Sequence, residues 1–336
     1  MRFGLFGGPR ASDRTSSQRR QYAPFIEYVV EAERLGFDSV FIVEHHFTGL
    51  GQISSSLEFL AYLAGRTSTM RLGTAVTVLP WHNPVLLAEQ VATLDVLSGG
   101  RLDLGVGLGY RPNEFHGFSI DPSEAQARYQ ECLSVMLKAW TTNERFTHEG
   151  AYWRYRDIVV EPRPEQDPHP PIWVGAGSER SVRSAATAGY RLLLDQVADI
   201  DQTHRCIEWY EETCRQTGRH FVPDHVAVTR ALMLVTEEGR SSLESEYERR
   251  LAGIRMIRES SRIPGDDRPL TPKDHAFYND ARSTAEAAVI AGTPEECIER
   301  LKLLEAAGAG MVLFSDPSGG IERLRFFADE VMPAFS

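Results

Sequence analysis

Leu72-Gly73-Thr74-Ala75-Val76-Thr77-Val78-Leu79 and Arg101-Leu102-Asp103-Leu104-Gly105-Val106-Gly107 are two short runs rich in apolar and β-branched residues. Between them a helical stretch opens at Asn83-Pro84 and runs to Leu97, with proline in its first turn, where the missing N–H breaks no bond. The pattern predicts strand, helix, strand. Both strands are largely apolar and leave no wet face, so the unit belongs to a parallel sheet covered by helices.

The alternation extends in both directions. Arg2–Gly7 reads as a first strand; Phe25, Ile26, Val29, Val30 and Leu35 then repeat at helical spacing, with Gly36 placed to end that helix. Ser39–Val43 is a second strand and Leu57–Arg66 a second helix. Beyond Gly107, Glu124–Thr141 is helical and Phe146–Pro171 is an irregular stretch rich in proline and aromatics. Ile172–Val174, Arg191–Leu194 and Val226–Val235 are strands, with helices at Glu179–Ala188 and Asp201–Thr217 and a long polar helical region from Glu237 to Glu259. Ser260–Arg282, with three prolines and many charges, reads as a long loop, either a mobile lid or a disordered insertion. A helix at Pro294–Ala307, a strand at Met311–Phe314 and a closing helix at Ile321–Val331 complete the series. Eight strand–helix units make an α/β fold, a (β/α)8 TIM barrel with insertions, one domain over residues 1–336. The alternative, an open doubly wound sheet, usually has fewer strands and a Gly-rich first turn.

Of the 336 residues, 42% are hydrophobic and 25% charged, which excludes a disordered or fibrous protein. No apolar run approaches the ~18 residues of a membrane helix, and Met1–Pro9 is apolar too briefly for a secretory signal. With 36 basic against 47 acidic residues and a net charge of −11, neither nucleic acid nor an anionic membrane is an expected partner. Cys132, Cys206, Cys214 and Cys297 show no C-x-x-C spacing. They read as buried apolar fillers in a reducing cytoplasm, with no disulfide framework and no structural zinc.

Reacting groups of such a barrel lie at the carboxyl ends of its strands. Strand two ends in Glu44-His45-His46-Phe47. Neighbouring extended residues face opposite ways, so His45 and His46 cannot share a metal while the strand stays extended. The place after strand one, where a metal-dependent barrel hydrolase would carry His-x-His, holds Gly7-Gly8-Pro9, and no metal is expected. A histidine of this pair is a candidate reacting group; the alternative is a structural histidine. After strand four, Gly105-Val106-Gly107-Leu108-Gly109-Tyr110 has the spacing G-x-G-x-G, and Arg111-Pro112-Asn113 continues it as a loop. A dinucleotide fingerprint needs G-x-G-x-x-G opening a helix, so the glycines are read instead as letting a flat ring approach the backbone. After strand five, Gly175-Ala176-Gly177-Ser178-Glu179-Arg180-Ser181 opens a helix with unpaired N–H groups and two hydroxyls: an anion seat, or an ordinary N-cap.

Taken together, His45-His46-Phe47 after a strand, Leu72–Pro80 with Asn83-Pro84 beyond it, and Leu94-Asp95-x-Leu97-Ser98-Gly99-Gly100-Arg101 resemble the bacterial luciferase-like flavin-dependent monooxygenases. The likeness is densest over residues 37–130 and resumes over 172–190. It implies a barrel that takes FMN as FMNH2 from a separate NAD(P)H:flavin reductase and forms a flavin C4a-hydroperoxide with O2. One oxygen atom would then enter a small hydrophobic organic substrate. A homodimer through the early helices is also implied.

His45 matches the family's catalytic histidine at the flavin's reactive edge, where an imidazole with a pKa near ~6.5 suits proton work. Ala75 and Val76 match a non-prolyl cis peptide beneath the ring, and Gly107, Tyr110 and Asn113 the loop at its edge. Gly177, Ser178 and Ser181 match the phosphate seat, and Arg128 a basic partner of the same phosphate; read alone, Arg128 is a solvated helix arginine. Light-emitting luciferases carry a cysteine and an arginine where this chain has Gly107 and Leu108. That points away from a long-chain aldehyde luciferase and passes the arginine's task to Arg111, Arg180 or Arg183. Phe6, Trp81, Phe115 and Trp173 read as substrate-pocket lining or as core. Two other functions fit the same barrel: an F420-dependent oxidoreductase and a non-catalytic flavin-binding subunit.

Overall fold

Eight parallel strands close on themselves in the computed structural model, which describes residues 1–9, 17–268, 282–315 and 320–335. They are β1 (Arg2–Gly7), β2 (Ser39–Ile42), β3 (Arg71–Thr74), β4 (Leu102–Gly107), β5 (Ile172–Gly175), β6 (Arg191–Leu194), β7 (Val226–Leu234) and β8 (Met311–Ser315). Each pairs with the next, and β8 returns to β1 through Arg2↔Met311 and Leu5↔Phe314. The helices α1 (Gln18–Arg34), α2 (Ser56–Ala64), α3 (Pro84–Ser98), α4 (Pro112–Gly117), α5 (Ala125–Thr141), α6 (Glu179–Ala188), α7 (Ile200–Gln216), α8 (Leu243–Glu259), α9 (Arg282–Ala287), α10 (Pro294–Ala306) and α11 (Gly320–Glu330) fall between and after the strands. None of the described helices is long and apolar enough to cross a membrane.

Local chemistry sets the element ends. The Asn83 side chain accepts from the N–H groups of Val85 (3.1 Å) and Leu86 (3.2 Å), Pro84 occupies the first turn, and Gly99 closes α3 at φ 66°. Most apolar side chains pack between strands and helices: Val29, Leu60, Leu87, Met136, Leu301 and Phe327 are all buried there. Inside the barrel, Phe41, Trp173, Leu193, Ala227, Met311 and Leu313 form a separate apolar layer, with Phe41 and Trp173 edge to face at 5.6 Å.

Several expectations need correction. The run Leu72–Leu79 is not one strand: β3 stops at Thr74, the Ala75–Val76 peptide is cis, and Thr77–Val78 pairs again with Val106–Gly107. The stretch after α5 contains an antiparallel hairpin of Phe146–Glu149 and Arg154–Ile158; its mostly exposed, polar residues gave no apolar signal. A short strand, Val289–Gly292, extends the sheet beside Ala231–Leu234 of β7. Arg111-Pro112-Asn113 does not continue as loop, because Pro112 opens α4. Of the expected loop at Ser260–Arg282, residues 269–281 lie outside the described ones. All four cysteines are free and buried; burial pushes the thiols of Cys132 and Cys297 up to about 12.

Candidate active site

The carboxyl ends of the strands surround a cavity of about 1180 Å³. Its floor and walls come from the ends of β1, β2, β4, β5 and β6, from Ala75 and Val76, and from Thr229 and Ser315. Another side is α8, which lines the cavity with Arg249 and Arg250 and with the apolar Ala252, Gly253, Ile254, Met256 and Ile257. So α8 forms part of the cover of the cavity. The volume exceeds the ~300–1,000 Å³ usual for one small ligand, leaving room for a cofactor and a substrate together.

Six of the expected residues meet at this cavity: His45, Ala75, Val76, Gly107, Tyr110 and Gly177. Ser178 and Ser181 stand beside it at the start of α6, locked in a capping box. Ser178 Oγ accepts from the Ser181 N–H (3.3 Å), and Ser181 Oγ from the Ser178 N–H (3.2 Å). Arg128 is away from the lining, paired with Glu124 at 2.9 Å and stacked 4.4 Å over the Tyr152 ring. Among the basic candidates, Arg183 is engaged by Glu179 and Glu212, and Arg111 is buried beside His45. Arg180, exposed in the first turn of α6, makes no ion pair among the described residues.

Two readings of lining residues change. Only Phe6 of the four aromatics reaches the cavity; Trp173 belongs to the barrel interior, and Trp81 and Phe115 pack together at 4.6 Å. The glycines of β4 gain a second reason to be small, because the adjoining strand presses on them. A Cβ on Gly105 would stand 1.8 Å from the Thr74 carbonyl oxygen, and one on Gly107 2.3 Å from Val76 Cγ2. Val76, seated over Gly107, is what faces the cavity.

His45 leaves 16% of its side chain exposed, and both ring nitrogens have protein partners. Nδ1 lies 3.3 Å from Glu114 Oε1, and Nε2 lies 3.2 Å from Arg111 Nη2. Glu114, itself buried, also accepts the His46 N–H at 2.9 Å. Burial pushes the His45 pKa below its ordinary value; the Glu114 hydrogen bond opposes this, and the charge of Arg111 adds to it. Sequence reading missed Glu114 and assigned Arg111 elsewhere. The available signal was a charged pair within the first residues after a barrel strand, flanking Pro112.

A second network lies alongside. Buried Glu44 accepts from Nε2 of His46 (3.2 Å) and Nε2 of His82 (3.0 Å). Burial works to raise the pKa of this carboxyl, yet the two imidazole bonds prevail and hold it below the usual range. His46 is therefore directed to Glu44 while His45 lines the cavity. Among the described residues no group of three or more His, Cys, Asp or Glu is placed to hold a metal ion. Several buried polar atoms of the lining residues lack partners among the described residues: Gln52 Oε1, Thr229 Oγ1, Ser315 Oγ, and Nε and Nη1 of Arg111.

Chemically, the site offers a clamped imidazole, an apolar slot over Val76, and a helix amino terminus with two hydroxyls and a free guanidinium. Comparison with known proteins gives the same direction. The flavin-dependent trigonelline monooxygenase, oxygenase component, of Acinetobacter baylyi is 27% identical over 354 aligned positions, 100% of this chain and 96% of that protein. Monooxygenase RslO1 of Streptomyces bottropensis superposes with a TM-score of 0.84 at 26% identity, covering 100% of both chains. The oxygenating constituent of 3,6-diketocamphane monooxygenase of Pseudomonas putida, solved with FMN, shares the fold at a TM-score of 0.79 and 23% identity, over 99% of this chain and 98% of that one. Two uncharacterized proteins of Sinorhizobium fredii are 38% and 35% identical, over 52% and 56% of this chain, and the match spans about half of each, 49% and 54%. The family model for luciferase-like monooxygenases matches residues 1–310, and the chain belongs to that family.

Proposed function

We propose that this chain is the oxygenase of a two-component, FMN-dependent monooxygenase. A separate NAD(P)H:flavin reductase supplies FMNH2, and one atom of O2 enters a small hydrophobic organic substrate. The observation that carries the reading is the single cavity that joins His45, the cis Ala75–Val76 peptide and the Gly177 turn. The residues fit FMN: the apolar slot suits a tricyclic ring, and the unpartnered Gln52, Thr229 and Ser315 oxygens of the lining suit its polar edge. Gly177, Ser178, Ser181 and Arg180 would hold the phosphate, using the free N–H groups of α6 and one exposed cation. Bound reduced FMN supplies the electrons that activate O2. His45 would hold or accept a proton beside that ring, with Ala75, Val76, Gly107 and Tyr110 orienting it and α8 excluding water. The relative described as an oxygenase component supports a partner reductase. Exposed Tyr62, Leu86 and Leu97 on α2 and α3 support a homodimer. Arg128, held by Glu124 and Tyr152, would join the phosphate only on leaving both.

The test supplies a flavin reductase, FMN, O2 and a panel of apolar substrates. His45→Ala should retain FMN and lose product formed per O2 consumed; unchanged coupling would remove His45 from the chemistry. F420-dependent enzymes share this barrel. Parallel titrations with reduced FMN and reduced F420 separate the two cofactors, and binding of F420 alone would overturn the proposal. Flavin binding without any turnover would leave a non-catalytic binding subunit.

A further inference from the structure

Arg111 is 1% exposed, and among the described residues only its Nη2 has a hydrogen-bond partner, the Nε2 of His45. A buried guanidinium ordinarily gathers carboxylates or carbonyls to offset its desolvation. This one forms no ion pair among the described residues, and the Tyr110 ring packs 5.8 Å from its Cζ. With that imidazole as its one hydrogen-bond partner among the described residues, the cation is placed to act on His45.

A guanidinium N–H can only donate, so Nε2 must accept; a carboxylate can only accept, so Nδ1 must carry the hydrogen given to Glu114. We infer that Arg111 is a positioning residue that, with Glu114, locks His45 as the neutral Nδ1–H tautomer and keeps a proton off Nε2. A proton on Nε2 would meet the Arg111 N–H head on, so the guanidinium must move before the imidazole can be charged. The groups around the ring are Arg111 and Glu114 from the start of α4, and Glu44 with its partners His46 and His82. Of these, only Arg111 reaches Nε2. Burial and the nearby cation also press the His45 pKa downward. For its catalytic meaning the inference rests on the function proposed above: there His45 can take up a proton at Nε2, and later give it back, only once Arg111 has moved aside.

The experiment is ¹⁵N NMR of flavin-free protein labelled at histidine, followed from about pH 8 down to about 5. For His45 we expect a hydrogen on Nδ1 and none on Nε2 down through the ~6.5 midpoint of an ordinary histidine. In Arg111→Met the midpoint should rise toward that ordinary value; Arg111→Lys, which keeps a donor, should restore part of the difference. A wild-type spectrum with the Nε2–H tautomer, or an imidazolium at neutral pH, would overturn the inference, as would an Arg111→Met titration equal to wild type. If Arg111→Met does not fold, the wild-type spectrum decides alone. Failure of FMN to bind would sink the oxygenase reading and leave these spectra standing.

Discussion

Gly107→Ala tests how the cavity floor is built. The added methyl carbon would stand 2.3 Å from Val76 Cγ2. Carbon atoms settle at ~3.5–4.0 Å, so Val76 must give by about 1 Å or more. A β-branched side chain has few rotamers with which to do so. Overpacking of this kind costs about 1–3 kcal/mol. Val76→Ala alone removes two half-buried methyl groups, about 1 kcal/mol. In the double variant the clash is gone, so it should cost little more than Val76→Ala alone, a coupling of about 1–2 kcal/mol. For 336 residues, each kcal/mol corresponds to about 1.4 °C in Tm. Thermal unfolding of the four proteins should therefore show Gly107→Ala about 1–4 °C below wild type, with the double variant close to Val76→Ala. FMN titrations of the same four should follow suit, weaker in Gly107→Ala and recovered in the pair. Additivity of the two costs to within about 0.5 kcal/mol would refute the packing argument.

Gly253 lies within α8 and lines the cavity, and a Cβ there meets nothing within 4 Å. Gly253→Ala should therefore stabilise the fold by about 0.5–1 kcal/mol in thermal unfolding. Gly253→Phe should shrink the accepted substrates, read as KM across a size series. Arg180→Ala should weaken FMN binding about tenfold at low salt and less at high salt, while Arg183→Ala, whose cation already serves Glu179 and Glu212, changes FMN affinity little. Glu131 accepts N–H groups of Ala151, Tyr152 and Trp153 and a bond from His148; these outweigh burial and hold its pKa below the ordinary value. Its contribution to stability is thus complete above ~4.3 and fades as pH falls through the lower folded value, so Glu131→Gln should flatten the acid limb of a melting-temperature profile.

What the sequence made legible was whatever a parallel barrel writes locally. Strands buried on both faces appear as apolar runs, and His45 stands out because it follows one of them. The turn at Gly177–Ser181 is likewise contiguous. The partners of His45 are not: Arg111 and Glu114 are 66 and 69 positions away and meet it only through barrel closure. The packing demand on the β4 glycines is not legible either, because a sequence does not show which neighbour presses on a backbone; that neighbour is the Thr74–Val76 bend of the adjoining strand. The side of α8 that lines the cavity, Ala252, Gly253, Ile254 and Ile257, is diluted by the arginines and glutamates around it.

The two ends of the barrel treat their polar groups differently. At the amino-terminal end, Asp103 is buried with both oxygens engaged: Arg71 Nε at 2.6 Å on one, Trp173 Nε1 at 3.0 Å and Arg191 Nη1 at 3.4 Å on the other. That cluster, with the apolar layer of Phe41, Trp173 and Leu313 in the barrel, closes the bottom with its central charge satisfied. At the mouth, polar atoms of Gln52, Thr229 and Ser315 and two nitrogens of Arg111 are buried without hydrogen-bond partners among the described residues. Unmade hydrogen bonds of buried groups each cost about 1–3 kcal/mol. A fold tolerates that cost at its mouth where a ligand can supply the missing partners. The same asymmetry explains why His45, at the mouth, is held between an acid and a cation: its tautomer is fixed before any ligand arrives, so binding need not set it.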